Sequence, residues 1–313
     1  MWTEPWWLPL AALVVEGCAG YPHAVYRRIS HPVVWMGRAI DGLERRWNRA
    51  DLSDGARRWL GIVTVIGVAG GAALAGYVLQ SGLNRVQFGV VLVVLIATTG
   101  LAQHSLFTHV RDVLRPLSNG DLVGARAAVA KIVGRDTSSL NESGVAGAAL
   151  ESLAESFNDG VVAPAFWLLI GGLPGLLAYK ALNTADSLIG HREPRWRMFG
   201  WAAARADDLV NLVPARLAGL LVAAAGRGGI RVMFRDASKH ASPNAGWPEA
   251  AMAGALSIRL GGPAAYDGVL HERPVFGDGR APVADDLARG LRLYIVACGM
   301  LWMLAAIIAW LGR

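Results

Sequence analysis

Long apolar runs separated by polar, arginine-rich segments dominate this chain. Residues 59–80, 86–107 and 293–311 are each apolar over a length that lets a helix cross a bilayer. Residues 6–20 form a shorter run interrupted by Glu16, so they predict only a marginal span. Within the first long run, small residues recur at the spacing that permits close helix packing: Gly67, Gly71, Ala72 and Gly76. This pattern predicts an all-α polytopic integral membrane protein.

Two further apolar segments contain residues that break or charge a membrane helix. Residues 160–182 are interrupted by prolines and glycines: Pro164, Gly171, Gly172, Pro174 and Gly175. Such interruptions favour a broken or re-entrant element over a straight helix. Residues 209–225 include Asn211, Pro214 and Arg216 and are a weaker candidate. We therefore expect about four to five transmembrane helices plus a broken or re-entrant element.

The composition supports a membrane protein. Hydrophobic residues make up 54% of the 313-residue chain and charged residues only 17%, against about a quarter in soluble domains. The net charge of +6 comes from arginines that flank the apolar runs, which positive-inside topology explains better than nucleic-acid binding. Residues 21–58 and 108–159 should then be cytoplasmic and the turn at 81–85 external. A re-entrant segment at 160–182 would keep residues 183–208 in the cytoplasm as well.

The remaining segments add no second domain to this interpretation. Residues 227–291 are polar and rich in Gly and Pro, which predicts a long loop. We expect residues 1–313 to form a single membrane-embedded domain with an active site built from cytoplasmic loops. Cys18 and Cys298 lie far apart in apolar segments, so both are expected to be inert thiols. The first apolar run is expected to be retained, not cleaved as a signal.

Three acids precede the interrupted segment at a helical spacing. Glu151, Glu155 and Asp159 are four residues apart and would share one helix face. Spaced acids usually mark a solvated face. Here they adjoin an apolar run with no basic residue between, which favours a site for a metal, an arginine or a substrate cation.

Two later segments place side-chain oxygens three or four residues apart. One contains Asn183 and Asp186, and the other contains Asp207, Asp208 and Asn211. Carboxylate and amide oxygens in such pairs suit Mg²⁺ that also binds phosphate, as in membrane prenyltransferases. An ordinary acidic helix start explains Asp207 and Asp208 about equally well.

A polar turn at residues 134–137 has two interpretations. Arg135, Asp136 and Thr137 could form an anion-binding helix N-terminus. Alternatively, Asp136, Thr137 or Ser138 simply caps the helix that follows. The local sequence leaves both interpretations open.

Two histidines lie in segments that allow either a functional or an ordinary structural interpretation. Lys239, His240, Ser242 and Asn244 belong to one donor-rich segment, which favours ligand binding although its turn residues are ordinary loop chemistry. His31 precedes a proline, and locally this predicts only an extended start to an amphipathic helix. The sequence has no P-loop, dinucleotide-binding, G-x-S-x-G or zinc-protease motif, so any nucleotide is held in another way.

Taken together and in order, five segments resemble the adenosylcobinamide-phosphate synthases of cobalamin biosynthesis, the CobD/CbiB family. These segments are HPVVWMG at 31–37, GRDTSSLNESGVAGAALESLAESFNDGVVAPAFW at 134–167, GLPGLLAYKALNTADSLIGHR at 172–192, DDLVNLVPARL at 207–217 and HASPNAGWPEAAMAGAL at 240–256. Two positions depart from the family pattern. Tyr21 stands where many members have Asp, and Asn158 stands where members often have Ser.

The resemblance implies an ATP-dependent acid–amine ligase. Such enzymes join adenosylcobyric acid to (R)-1-aminopropan-2-ol or its O-phosphate and give adenosylcobinamide or its phosphate. The resemblance therefore implies ATP, Mg²⁺ and a corrinoid substrate, in a multi-pass protein of the bacterial cytoplasmic (inner) membrane that binds no nucleic acid. A homo-oligomer, or contact with other cobalamin-assembly enzymes, stays open.

Residue roles follow from the resemblance as hypotheses. The expected metal ligands are Asp159, Asp207, Asp208 and Asn211, with help from Glu155. The expected catalytic residues are Glu151, Glu155 and His240, with Glu151 or His240 as the base. The expected substrate- and phosphate-binding residues are His31, Arg135, Asp136, Thr137, Asn183, Asp186, Arg192, Arg216, Lys239, Ser242 and Asn244.

Three other functions compete with this interpretation. A membrane transporter is one, since broken apolar segments often mark substrate paths, but the sequence shows no inverted repeat. A Mg²⁺-dependent membrane alcohol or prenyl transferase is another and predicts turnover without ATP hydrolysis. A non-catalytic sensor relative would have eroded motifs, whereas these are intact.

Overall fold

Helices make up most of the computed structural model, which describes residues 6–21, 30–191 and 193–312. Its α-helices are α1 (Leu8–Ala19), α2 (Pro32–Trp47), α3 (Asp54–Leu83), α4 (Gly89–Thr98), α5 (Gln103–Ser118), α6 (Leu122–Val129), α7 (Glu142–Phe157), α8 (Ala163–Ile189), α9 (Trp201–Val210), α10 (Leu212–Ala225), α11 (Ile230–Asp236), α12 (Gly246–Leu256) and α13 (Ala284–Leu311). A π-helical turn (Asn158–Val162) joins α7 to α8, and a 3₁₀ turn (Ala237–Lys239) follows α11. Antiparallel pairs are formed by β1 (Leu260–Gly261) with β4 (Val275–Phe276), and by β2 (Ala264–Tyr266) with β3 (Val269–His271).

Several of these helices meet the requirements for crossing a membrane. The stretches that are long and apolar enough are Asp54–Leu83, Gly89–Ser118, Glu142–Ile189 and Ala284–Leu311. Helices α9 and α10, separated by a bend at Asn211, qualify only as a pair, and α1 is shorter. The described residues thus contain four or five candidate spans, which confirms an all-α polytopic integral membrane protein. Each of the three long apolar runs overlaps one of them.

The interruption predicted within residues 160–182 is confirmed and lies inside α8. Gly171 has φ −130°, and Gly172 has φ 57° with ψ −149°, a conformation that glycine adopts readily. The break frees the backbone N–H of Leu173, which donates to Oε1 of Gln80 on α3 at 2.7 Å. Because a bilayer core offers no water, this side chain takes the place of the lost helical carbonyl.

Residues 227–291 are folded, so the prediction of a long loop is wrong. They contain α11, α12, all the strands named above and the start of α13. Helix α12 is rich in alanine, and its buried residues pack against α10 and α11. The glycines and prolines that suggested a loop separate short elements. Asp267 (φ 49°) and Gly268 (φ 76°), for example, form the left-handed turn between β2 and β3.

Two helix starts test the local predictions. Helix α2 begins at Pro32, as the sequence predicts, with His31 at its N-cap. Helix α7 begins after a turn at 137–140, and its N-cap is Asn141, whose Oδ1 accepts a hydrogen bond from the N–H of Gly144 at 2.8 Å. The caps proposed from the sequence are therefore wrong: Asp136, Thr137 and Ser138.

The chain divides into two compact units. Unit 1 comprises Met1–Ala102, Ala163–Asn211 and Ala305–Arg313, and unit 2 comprises Gln103–Val162 and Leu212–Leu304. A buried core in unit 1 contains Ile40, Val65, Ala185, Ile189, Phe199, Ala202 and Ala203. In unit 2, the buried face of α7 ends at Phe157, whose ring packs edge-on against Tyr294 at 5.6 Å between centroids. Each unit contains one cluster of the polar residues predicted from the sequence.

Candidate functional site

Unit 2 contains a cavity of about 140 Å³ lined mainly by polar and charged residues. We call it the glutamate cavity, because three glutamates from α7 and α12 face it. It is lined by Ile132, Val133, Gly134, Arg135, Glu151, Ser152, Glu155, Glu249, Tyr266 and Arg273. Three carboxylates and two guanidinium groups around so small a space suit a small charged solute.

Glu151 is buried and bonded to both arginines of the glutamate cavity. Its Oε2 pairs with Nη2 of Arg135 and lies 3.1 Å from Nη2 of Arg273. Its Oε1 accepts a hydrogen bond from the N–H of Gly261 at 2.9 Å. Because both oxygens are engaged, these contacts favour a role for Glu151 in orienting the arginines.

Glu249 has a different environment in the same cavity. It is 2% exposed, and its Oε2 is buried without a hydrogen bond from the residues that the structure describes. Burial, reinforced by the negative charges of Glu155 and Glu151, raises the pKa of Glu249 well above its ordinary value. A buried carboxyl group with a raised pKa beside a cavity is typical of a proton-transfer site.

His240 lies next to Glu249, with 3.8 Å between His240 Nε2 and Glu249 Oε1. The other ring nitrogen, Nδ1, accepts a hydrogen bond from the N–H of Ser242 at 2.9 Å. Neutral His240 therefore bears its proton on Nε2, facing Glu249. This arrangement places the N–H of His240 beside Glu249, at a distance longer than a hydrogen bond.

The predicted acidic helix face is formed only in part. Glu151 and Glu155 both line the glutamate cavity. Asp159 lies in the π-helical turn, where its Oδ1 accepts from Nδ2 of Asn158 at 2.8 Å, and it is not among the lining residues. The wider π-helical turn interrupts the four-residue spacing that the prediction assumed.

The turn before α7 connects the cavity to the strands. Oδ2 of Asp136 accepts from the N–H of Gly268 at 2.8 Å, and the N–H of Asp136 donates to the carbonyl oxygen of Ala265 at 2.9 Å. Asp136 therefore anchors the β2–β3 hairpin, which supplies Tyr266 to the cavity. Thr137 begins the next turn of the chain.

The rest of the donor-rich segment is held by local contacts. Ser242 Oγ accepts from the N–H of Asn244 at 3.2 Å, and Asn244 Oδ1 accepts from Nη1 of Arg216 at 2.9 Å. The Arg216 guanidinium also lies 4.7 Å from the ring centroid of Trp247. Lys239 pairs with a buried aspartate at 2.6 Å. These contacts stabilise the segment that presents His240.

Unit 1 contains a second polar cluster, on α8 and at the end of α9. The Asp207 carboxylate accepts from Nδ2 of Asn183 at 3.4 Å and from Nδ2 of Asn211 at 3.0 Å. Lys180 donates to Oδ1 of Asn183 at 3.3 Å, and Tyr179 donates to Oδ1 of Asn211 at 3.2 Å. We call these five residues the amide cluster. Three of the five were predicted from the sequence as site residues, and the other two, Lys180 and Tyr179, were not.

Other predicted residues of unit 1 lie on the elements that form the amide cluster or close to them. Burial, together with the positive charge of Lys180, lowers the pKa of His31. Asp186 lies three residues after Asn183 on α8. Arg192 lies outside the described residues.

The amide cluster is the arrangement that best fits the expected Mg²⁺. Among described residues, no group of three or more His, Cys, Asp or Glu side chains could hold a metal ion. Asp207 with two amides is nevertheless compatible with Mg²⁺, which commonly takes one or two carboxylates together with water and phosphate oxygens. Asp208 pairs with Arg205 at 3.3 Å, and Oδ1 of Asp159 accepts a hydrogen bond from Asn158. Asp207 is therefore the best supported of the predicted ligands.

Sequence reasoning assigned no role to five residues of these clusters. Glu249 stood within the donor-rich segment, whereas Tyr266 and Arg273 stood in the supposed loop. Lys180 and Tyr179 interrupt an apolar run, and an isolated lysine at such a position is itself a sign of function. The contacts that connect them join distant parts of the chain.

A charged cavity and a polar amide cluster within a polytopic helical fold define a membrane protein with clustered polar side chains. Residues 9–294 match the sequence model of one family, described as CobD/Cbib protein. The chain therefore belongs to the CobD/CbiB family.

Its relatives are similar over nearly their whole length. The chain is 47% identical to the cobalamin biosynthesis protein CobD of Rhodobacter capsulatus over 304 residues, covering 96% of each chain. It is 47% identical to the protein of that name from a Sinorhizobium species, over 92% of this chain and 93% of the relative. The CobD of Rhizobium meliloti is 44% identical over 302 residues, covering 93% and 92%. No solved structure matches the chain.

Proposed function

We propose that this protein acts in cobalamin biosynthesis as an ATP-dependent acid–amine ligase. It would join the free carboxylate of adenosylcobyric acid to (R)-1-aminopropan-2-ol or its O-phosphate and form adenosylcobinamide or its phosphate. Family membership over residues 9–294 is the observation that carries the proposal. The glutamates and arginines that line the glutamate cavity supply groups that such a ligation needs.

Amide formation first requires activation of the carboxylate. The substrate carboxylate attacks the γ-phosphorus of ATP, giving an acyl phosphate and ADP. The amine nitrogen then attacks the acyl carbon, so that the C–N bond forms while the C–O bond to phosphate breaks. The ammonium group loses two protons in all, one to the departing phosphate and one to a base.

The protein contributes cations and a proton acceptor to this sequence. Arg135 and Arg273, oriented by Glu151, would stabilise negative charge next to the reacting groups. Glu249, with the ring of His240 beside it, is the group that would accept a proton from the amine.

Mg²⁺, when bound, would neutralise the phosphates of ATP. Asp207, Asn183 and Asn211 would hold it, and Lys180 would add a positive charge for phosphate. Asp208, next to Asp207 on α9, is a further proposed ligand. We place these sites on the cytoplasmic side of a bacterial inner membrane, where the arginine-rich segments favour residence.

An assay of membranes that contain the full-length protein tests this proposal. Adenosylcobyric acid, aminopropanol phosphate, ATP and Mg²⁺ should give a product whose mass corresponds to the amide, together with ADP. Omission of ATP is the matched control and should abolish the product. Absence of any ATP-dependent amide with both amine substrates would contradict the ligase activity.

A further inference from the structure

A carboxyl group and a guanidinium group in the glutamate cavity lack part of their hydrogen bonding within the described part of the chain. Oε2 of Glu249 is a buried acceptor without a donor, and Nη1 of Arg273 is a buried donor without an acceptor. Buried polar atoms are rarely left in this state, because their desolvation is then uncompensated. A ligand that carries both a cationic donor and an anionic acceptor would satisfy both groups at once.

We infer that the glutamate cavity is the subsite for the amine substrate. In this subsite Glu249 binds the ammonium group, while Arg273 and Arg135 bind an anionic oxygen of the same small molecule. This assignment rests on the proposed function, which requires an amine. A short amino alcohol that bears a phosphate combines both charges, whereas the free amino alcohol would fill only half of the subsite.

The size of the glutamate cavity limits its ligand. Its volume of about 140 Å³ lies well below the roughly 300–1,000 Å³ of sites for drug-sized molecules. A molecule of a few heavy atoms fits this space, whereas only part of a nucleotide or a corrinoid would enter it. The charges of Glu151 and Glu155, which oppose ionisation of Glu249, would be offset by an incoming ammonium group.

Glu249 is also suited to accept the first proton of the amine. In that step an N–H bond of the ammonium breaks and an O–H bond forms at Oε2, leaving a neutral amine and a neutral carboxyl group. The amine lone pair then attacks the acyl phosphate, and the second proton leaves with the released phosphate. Because burial raises the pKa of Glu249, its proton affinity is closer to that of an amine than an exposed glutamate's would be.

Ligand binding to the full-length protein in detergent, without ATP or corrinoid, tests the subsite. The probes for calorimetric titration are aminopropanol O-phosphate, aminopropanol and inorganic phosphate. We expect the first probe to bind at least about tenfold more tightly than either fragment, because it engages both charged groups. Each fragment should displace it. Fragments that bind without displacing aminopropanol phosphate would overturn the inference.

Two substitutions separate the halves of the subsite. Glu249→Gln should weaken aminopropanol phosphate by about tenfold or more while changing the affinity for inorganic phosphate by less than about twofold. Arg273→Gln should weaken both phosphate-containing probes. Glu272→Gln and Arg259→Gln change exposed residues of the same region and should bind every probe as the wild type does. Wild-type affinities in both cavity variants would overturn the assignment.

Turnover measurements distinguish failure of this subsite from failure of the proposed function. If the cavity variants lose binding but the wild type makes no ATP-dependent product, the subsite assignment is supported and the ligase activity is contradicted. If product forms and the variants match the wild type in binding and in KM for the amine, the subsite assignment is wrong and the ligase activity is supported. For a variant that does not fold, displacement among the three probes on the wild type decides the question.

Discussion

Two buried carboxyl groups of one cavity differ in the partners that surround them. Glu151 accepts hydrogen bonds from two arginines and a backbone N–H, so its charge is compensated. Glu249 has His240 at 3.8 Å and lies among other acids. The residue type is the same, and the difference arises from the partners that the fold brings near each group.

The raised pKa of Glu249 predicts a pH-dependent stability. Unfolded, this glutamate titrates near its ordinary value of 4.5, whereas the folded protein keeps the proton to higher pH. The contribution of Glu249 to the free energy of unfolding should therefore fall as pH rises above about 4.5 and level off above the raised pKa. Glu249→Gln has no carboxyl group to ionise, so this loss of stability does not occur in the variant. The apparent Tm of Glu249→Gln should therefore exceed that of the wild type at high pH and match it near pH 4.

Fluorescence-monitored melting of both proteins in detergent over this pH range measures the effect. Glu272→Gln, an exposed change in the same unit, should follow the wild type throughout. A constant difference between Glu249→Gln and the wild type at every pH would contradict the assigned pKa direction.

Asp207 predicts a catalytic defect without a folding defect. Asp207→Asn keeps the size of the side chain but removes the charge that would bind Mg²⁺. Product formation should fall by at least about 100-fold, more than is typical for loss of an outer partner of a metal site. The defect should shrink as Mg²⁺ is raised.

Initial rates in membranes, with the protein quantified in the membrane fraction, measure this loss. Asp112→Asn, a change at an exposed ion pair with Arg115, is the matched control and should keep wild-type rates. Near-normal turnover of Asp207→Asn would refute the assignment.

At the scale of elements, one glycine sets how closely α3 approaches α8. A Cβ atom added at Gly76 would lie 2.7 Å from the backbone of Leu173 and Pro174, next to the break in α8. Gly71, on the same helix, has no atom within 4 Å of such a Cβ. Although both glycines belong to the predicted small-residue pattern, only Gly76 makes this close approach.

Gly76→Ala should therefore destabilise the protein, and Gly71→Ala should not. The added methyl group at Gly76 forces two backbones apart, and overpacking of this kind costs about 1–3 kcal/mol. We expect the apparent Tm of Gly76→Ala in detergent to fall by several degrees. Equal Tm values for the two variants would show that α3 and α8 do not pack as described.

At the scale of the whole molecule, the arginine distribution predicts an orientation in the membrane. With Cys18 and Cys298 replaced, a cysteine introduced at Ser138 should react with an impermeant maleimide only after the membrane is permeabilised. A cysteine introduced at Gln87, in the turn between α3 and α4, should react in intact cells. Both positions are exposed within the protein. Reversed labelling would place the proposed sites outside the cell.

Much of the architecture follows from local sequence. The long apolar runs, the break at Gly171 and Gly172, and the start of α2 at Pro32 are all present in the structure. These features depend on hydropathy over one segment or on the backbone preferences of glycine and proline. The fold of residues 227–291 did not follow, because short elements joined by glycines and prolines resemble a loop when composition alone is considered.

The sequence by itself determined the membrane class, the family and the acidic, amide and donor-rich segments that form the polar clusters. Only the tertiary structure decided which of these residues meet. It placed Arg273 against Glu151, left Glu249 buried beside them, and joined Asp207 to Asn183. The physical reason is that pKa and hydrogen bonding depend on the distance between groups. In these clusters, folding brings together groups that are far apart along the chain.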